Sequence, residues 1–262
     1  MAERRREIVM GMPVWVDVRD DQIGGEVVDT VFAWLRRVDR LFSTYDAGSQ
    51  ISALNAGRLS LGDADPVVRE VIDRCEQLRT ETGGRFDARG AGAGRIDPSG
   101  FVKGWAVDRA VALLEAQGAR NLCVNAGGDV CVRGEPARGS AWRVGIRHPG
   151  RADRVAAVLR LNDAAVATSA TYERGEHIID PRTGRPPAGV RSVSVLGREL
   201  GRADAYATAA FAMGEDGPQW TATLRGYDAM TVLEGDRVFF TAGFARRRAA
   251  RWQAGRAQPG RD

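Results

Sequence analysis

Apolar positions that recur every three or four residues mark four long helices in this chain, with runs of β-branched residues marking strands around them. Residues 25–41 place Val28, Val31, Leu35, Val38 and Leu41 at helical spacing, which predicts an amphipathic helix. A second helix is predicted over 66–82, with Asp65 as N-cap, Pro66 in its first turn and Gly83-Gly84 as its stop. A third, over 104–117, puts Ala106, Val107, Ala110, Leu113 and Leu114 on one face, and a fourth covers 202–213. The polar stretch 42–57 reads as irregular, with a short helix from about Ser49. Ile8–Val18, interrupted by Gly11 and Pro13, reads as an edge strand with a kink. Strand-like runs follow at 121–134, 142–148, 155–163, 164–170 and 192–197, and 230–243 reads as a hairpin turning at Gly235-Asp236. Helices and strands do not alternate regularly, and several strands abut. The pattern predicts an α+β fold, antiparallel or mixed sheets with flanking helices, rather than a doubly wound parallel sheet.

Composition narrows the class. The 262 residues are 44% hydrophobic and 27% charged, the balance of a globular chain and not of a disordered or fibrous one. No apolar run approaches the ~18 residues of a membrane-spanning helix. The first residues lack the apolar stretch and small-residue cleavage site of a secretory signal. Cys75, Cys123 and Cys131 are odd in number and lack metal-like spacing, so a disulfide framework is not expected. These readings together predict a cytoplasmic protein. The formal charge of +4 is unevenly placed: residues 246–262 hold six arginines and one aspartate. That stretch reads as a disordered tail after a single domain of 1–245, whose own charge is near neutral and gives no reason to expect nucleic acid. All but one of the 38 basic residues are arginine. The exception, Lys103, marks a place where a compact ammonium fits and a planar guanidinium does not.

Several segments carry candidate chemistry. GAGAG at 90–94 lacks the preceding strand and the following helix of a dinucleotide fingerprint, and reads as a flexible connection. In I96-D-P-S-G-F-V-K-G, Asp97, Ser99, Gly100 and Lys103 precede a helix, where backbone N–H groups and one ammonium suit a phosphate; a capped helix with a solvated lysine is the plainer alternative. N125-A-G-G-D129 puts two glycines between strand runs, for close approach to a ligand or merely for a turn. Asp204 and Thr208, four apart on an apolar helix, stack a carboxylate and a hydroxyl on one face, half of an oxygen shell for Mg2+; capping and back-bonding to a carbonyl would explain the same pair. Of the two histidines, His148 and His177, the second precedes an Asp-Pro turn.

Taken together, these pieces resemble the FAD:protein FMN transferase family, the ApbE-type flavin transferases. The similar segments are Met10-Gly11, F42-S-T-Y-D-A-G-S-Q-I-S-A-L-N55, T82-G-G-R-F-D87, D97-P-S-G-F-V-K-G-W-A-V-D108, N125-A-G-G-D129, A167-T-S-A, H177-I-I-D-P-R-T-G184 and A203-D-A-Y-A-T208, spanning about residues 7 to 243. The resemblance implies a T-fold-like architecture and Mg2+-dependent transfer of the FMN half of FAD onto a threonine or serine hydroxyl of an acceptor flavoprotein or redox subunit, releasing AMP. It implies Asp204, Thr208 and the Gly100 carbonyl as metal ligands. Met10, Tyr45, Arg85, Phe86, Asp87, Asp97, Lys103 and Ile178 correspond to flavin-nucleotide contacts. His177 corresponds to a histidine in the transfer step, and Lys103 and Asp204 complete the expected catalytic set. One departure stands out: Asp87 and Asp97 are ten apart, where the family commonly has about fifty residues. A metal-dependent FAD pyrophosphatase and a non-catalytic FAD-binding module are the alternatives. D163-A-A-V-A-T-S-A-T171 loosely resembles an acceptor sequence, but a structural role is preferred for it.

Overall fold

The computed structural model describes residues 2–90, 94–171 and 178–249. Its first hairpin corrects the sequence reading. Instead of one kinked edge strand there are two, β1 (Glu3–Val9) and β2 (Met12–Val18), paired with Val9 opposite Met12. Met10 and Gly11 form the turn at φ 54° and 71°, the left-handed pair that two-residue hairpins require. Glycine adopts this freely; Met10 is held there while its N–H donates to Asp39 Oδ2 at 3.2 Å.

Four long helices follow the periodicity: α1 (Gly25–Phe42), α3 (Pro66–Glu81), α4 (Ser99–Ala116) and α5 (Leu200–Ala212), with a short α2 (Gln50–Asn55) capped by Ser49. Asp65 caps α3 as expected, its side chain accepting from Val67 N. The chain leaves α3 through Gly83 and Gly84, both at positive φ. Helix α4 starts five residues earlier than expected. Polar residues and Gly100 obscure its apolar period, but Asp97 Oδ1 accepts from Ser99 N and secures the first turn. Leu113 is also not on the buried face; Val111 is buried there instead, beside Ala106, Val107, Ala110 and Leu114.

The strands β3 (Leu122–Ala126), β4 (Asp129–Arg133), β7 (Ala164–Ala170), β8 (Val190–Gly197), β9 (Asp228–Leu233) and β10 (Val238–Phe240) join the first hairpin in one eight-stranded sheet, order β1-β2-β3-β4-β7-β8-β9-β10. Every neighbouring pair is antiparallel. The intervening β5 (Trp142–His148) and β6 (Arg151–Leu161) form a separate ribbon. Two cores result. On one sheet face Val14, Val16, Val124, Ala165, Ala167 and Val193 meet the long helices. On the other, Val130, Val132, Ala164, Val166 and Met230 meet Trp142, Val144, Ile146 and Leu159 of the ribbon and Phe244 of the last helix, α7 (Ala242–Arg247). Strands β4 and β7 are covered on both faces, which is why they read as continuous apolar runs. The acceptor-like 163–171 segment is largely β7, hydrogen-bonded on both sides within the sheet.

A short α6 (Gly217–Thr221) packs against α5 and β9. The arginine-rich end begins inside the fold: Arg246 and Arg247 close α7, and Ala249 N donates to Val158 O of β6 at 2.7 Å. Residues 250–262 lie outside the described residues. Among the described residues no helix is long and apolar enough to cross a membrane.

Candidate functional site

Two glycines let α4 and α5 touch through their backbones. A Cβ on Gly104 would lie 2.6 Å from Leu200 O and 2.7 Å from Gly201 Cα, closer than real contacts allow. A Cβ on Gly201 would meet Trp105 N at 2.9 Å. The junction is fastened by Asp108 of α4. Its two carboxylate oxygens accept from Leu200 N at 2.9 Å and Gly201 N at 2.8 Å, capping the start of α5. This close crossing brings Asp204 and Thr208 of α5 against Gly100 and Lys103 of α4. A Cβ on Gly100 would already stand 3.0 Å from Thr208 Oγ1.

The glycine pair after β3 adds a third element. Gly127 and Gly128, at φ 64° and 113°, turn the chain tightly between β3 and β4 and deliver Asp129, which is 4% exposed, to the lysine. Lys103 Nζ donates to Asp129 Oδ2 at 2.9 Å and stands 3.6 Å from Asp204 Oδ2. The other Asp129 oxygen accepts from Thr168 N of β7 at 3.0 Å. Asp204 is buried, and its Oδ2 makes no hydrogen bond but forms an ion pair with Lys103 Nζ at 3.6 Å. Burial pushes its carboxyl up to about 7, against the opposing pull of the Lys103 ammonium; the Asp129 charge adds to the upward shift. Thr208 Oγ1 lies 3.4 Å from Ser169 Oγ.

Gly100, Lys103, Ser169, Asp204 and Thr208 form one wall of a cavity of about 740 Å3. The loop after α3 supplies a second wall with Arg85, Phe86, Asp87, Arg89 and Asp97, and the β5–β6 ribbon a third with Val144, Gly145, Ile146 and Arg147. Local bonds explain the loop: Phe86 N donates to Thr82 Oγ1, and Arg89 N to Asp87 Oδ1. Arg85 Nη1 reaches Asp180 Oδ2 at 3.5 Å. Asn55, at the end of α2, clamps the strand-like entry to α4 by donating to Ile96 O at 2.9 Å and accepting from Ile96 N at 2.6 Å.

Of the residues singled out in the sequence, Arg85, Phe86, Asp87, Asp97, Gly100, Lys103, Ile178, Asp204 and Thr208 all line this cavity. Tyr45 does not, and is 86% exposed. Met10 does not either, although its neighbours Gly11 and Met12 do. His177 lies outside the described residues; Ile178, next in the chain, is at the cavity wall. Sequence reasoning assigned no role to Asp129, Asp108 or Asn55. Each was nonetheless within a quoted motif, and an acidic residue inside an apolar helix or strand is the signal that finds the first two.

The donor set can be tested against a divalent cation. Among the described residues no three His, Cys, Asp or Glu side chains cluster as a complete ligand set. Mg2+, however, takes one or two carboxylates and fills its octahedron with other oxygens, including substrate phosphates. Asp204 Oδ2, buried without a hydrogen bond beside Thr208 Oγ1 and the Gly100 backbone, is such a hard-oxygen position, and the residues fit the ion.

Comparison with known proteins agrees with this geometry. The ApbE family model matches residues 10–92 and 89–231, the two stretches meeting at the short Asp87–Asp97 connection. The FAD:protein FMN transferase of Rhodobacter capsulatus is 40% identical over 157 residues, 56% of this chain and 30% of its own length. That of Treponema pallidum is 33% identical over 230 residues, covering 76% of this chain and 63% of the relative. The chain thus spans less than two thirds of either curated relative. The crystal structure of the ApbE protein from Thermotoga maritima superposes with a TM-score of 0.83 at 25% identity, covering 95% of this chain and all of that one. With the motifs gathered around one cavity, and the family model matched along most of its length, the chain belongs to the ApbE family.

Proposed function

We propose that this protein is a Mg2+-dependent FAD:protein FMN transferase. The observation that carries the reading is the buried Asp204 carboxylate, whose Oδ2 makes no hydrogen bond, next to Thr208 and 3.6 Å from the only lysine, in a cavity large enough for a nucleotide. Family membership and the likeness to FAD:protein FMN transferases support it.

In this reading Asp204, Thr208 and the Gly100 carbonyl hold the cation, which supplies charge neutralisation for the pyrophosphate when bound. Lys103 presents its ammonium to the phosphates. Arg85, Phe86, Asp87, Asp97 and Ile178 line the space for the flavin nucleotide. The acceptor's threonine or serine oxygen attacks the phosphorus of the FMN half. A new P–O bond forms to the hydroxyl oxygen, the P–O bond to AMP breaks, and AMP leaves with the bridging oxygen. The hydroxyl proton goes to a base, a role we assign to His177. Attack by water in place of the acceptor hydroxyl would give FMN and AMP instead.

The test is incubation with FAD, Mg2+ and a candidate acceptor flavoprotein subunit, followed by intact mass and nucleotide analysis. A gain of one FMN on the acceptor, with one AMP released, is the expected result. Free FMN and AMP without acceptor modification would replace transfer by hydrolysis, and intact bound FAD would replace it by binding alone.

A further inference from the structure

We propose that Asp129 is a positioning residue that holds the Lys103 ammonium off Asp204, keeping that carboxylate available to a divalent cation. The inference rests on the proposed function only in taking a cation as the ligand of Asp204.

The local charge arrangement is asymmetric. One ammonium stands between two buried carboxylates, and its distances to them differ, 2.9 Å to Asp129 and 3.6 Å to Asp204. Asp129 is fixed from two sides: Oδ1 by Thr168 N of β7 and Oδ2 by Lys103 itself. It follows the positive-φ turn at Gly127-Gly128 directly, so its backbone position is set by a hairpin with little freedom. Asp204 Oδ2, by contrast, makes no hydrogen bond. Its cationic neighbour among the described residues is the ammonium at 3.6 Å, and a buried carboxylate oxygen left short of hydrogen bonds gains from a further cation.

Lys103 has four methylenes and a point charge, so its ammonium goes to whichever nearby carboxylate attracts it most. With Asp129 present, that acceptor is rigid and lies 0.7 Å nearer than Asp204 (3.6 against 2.9 Å). Without Asp129, the buried carboxylate that remains in ion-pair distance among the described residues is Asp204. The ammonium then pairs with the oxygen that the cation needs, and the two cations compete for it. Asp129 therefore serves the cation site without touching the cation, by selecting where the lysine rests.

Because the chain has one lysine, the arrangement can be read directly. In protein carrying [15N]lysine, the single Nζ resonance reports whether the ammonium is held or exchanges with water. In the wild type without FAD, saturating Mg2+ is expected to leave that resonance in place and protected. Its loss to solvent exchange on Mg2+ addition would overturn the proposal with no mutation needed. The second measurement is Mn2+ affinity, read from the free-ion electron paramagnetic resonance signal, for wild type, Asp129→Asn, Lys103→Met and the double variant. Asp129→Asn is expected to weaken Mn2+ by about tenfold, equivalent to ~1.4 kcal/mol. In the Lys103→Met background the same change is expected to have an effect of less than about threefold, because no ammonium is left to compete. Equal losses in both backgrounds would overturn the proposal, since Asp129 would then act by its own charge. Unaltered affinity in the single variant would overturn it too. FMN transfer by the wild type is measured alongside: its failure would remove the functional reading while leaving the Mn2+ cycle to decide the role of Asp129.

Discussion

Replacing Gly104 by alanine tests whether backbone contact between α4 and α5 sets the site. In an unpacked helix this change stabilises by about 1 kcal/mol, because glycine is the poorer helix former. Here the new Cβ would sit 2.6 Å from Leu200 O, against an ordinary contact of 3.4 Å or more, so the helices must separate by 0.8 Å. The obstacle is backbone, which cannot swing aside as a side chain would. Overpacking of this kind costs about 1–3 kcal/mol, which exceeds the propensity gain. The net loss of up to ~2 kcal/mol corresponds to a Tm lowered by up to roughly 8 °C for a chain of this size. The functional effect is expected to be larger. The displaced Leu200-Gly201 backbone lies one turn before Asp204, so the carboxylate moves relative to Lys103 and Gly100, and an error near 1 Å costs on the order of a hundredfold in rate. Thermal melting and FMN-transfer rates measured together check this. A variant that melts at or above the wild-type temperature and keeps its rate would refute the argument, because the propensity gain would then appear without a clash.

Asp204→Ala is expected to eliminate metal-dependent turnover and Mn2+ uptake while the fold persists in circular dichroism; wild-type uptake would contradict the assignment. Lys103→Arg keeps the charge but puts a planar guanidinium where Nζ sits between two carboxylates, so kcat is expected to fall, and an unchanged kcat would count against the geometry. Asp108 gives a pH prediction. Burial pushes its carboxyl from 3.8 to about 6, outweighing the two backbone N–H groups that favour the charged form. A raised folded-state value means that its stabilising contribution is complete below pH 3.8 and is lost as pH rises through about 6. Relative to Asp108→Asn, wild-type stability in denaturant titrations is thus expected to decline by up to about 3 kcal/mol across that window. A gap that does not vary with pH would contradict it.

Much of this architecture was legible in the chain. The cap at Asp65, the helix start near Ser49 and the apolar periods of α1 and α3 are local signals, and local bonds honour them. The start of α4 was missed because Gly100 and Lys103 break its apolar period, and both residues are there for the cavity rather than the core. The first hairpin was missed because its turn uses Met10 at positive φ, where sequence reading expects Gly, Asn or Asp. In the site, the motifs carrying Asp97, Lys103, Asp204 and Thr208 identified residues that do line one cavity. What the sequence does not contain is the pairing between them. That Asp129 meets Lys103 across 26 residues, and that Asp108 caps a helix beginning 92 residues later, are results of sheet order and helix crossing.

The lone lysine singled out by composition is half-buried between two buried carboxylates, one fixed by hydrogen bonds and one with an oxygen that makes none. The measurement that bears most directly on the proposed function is the intact mass of a candidate acceptor subunit after incubation with FAD and Mg2+, with Asp204→Ala in parallel. The expected result is one FMN added per acceptor by the wild type, with matching AMP, and none by the variant. FMN and AMP released in solution with an unmodified acceptor, or equal modification by both proteins, would contradict it.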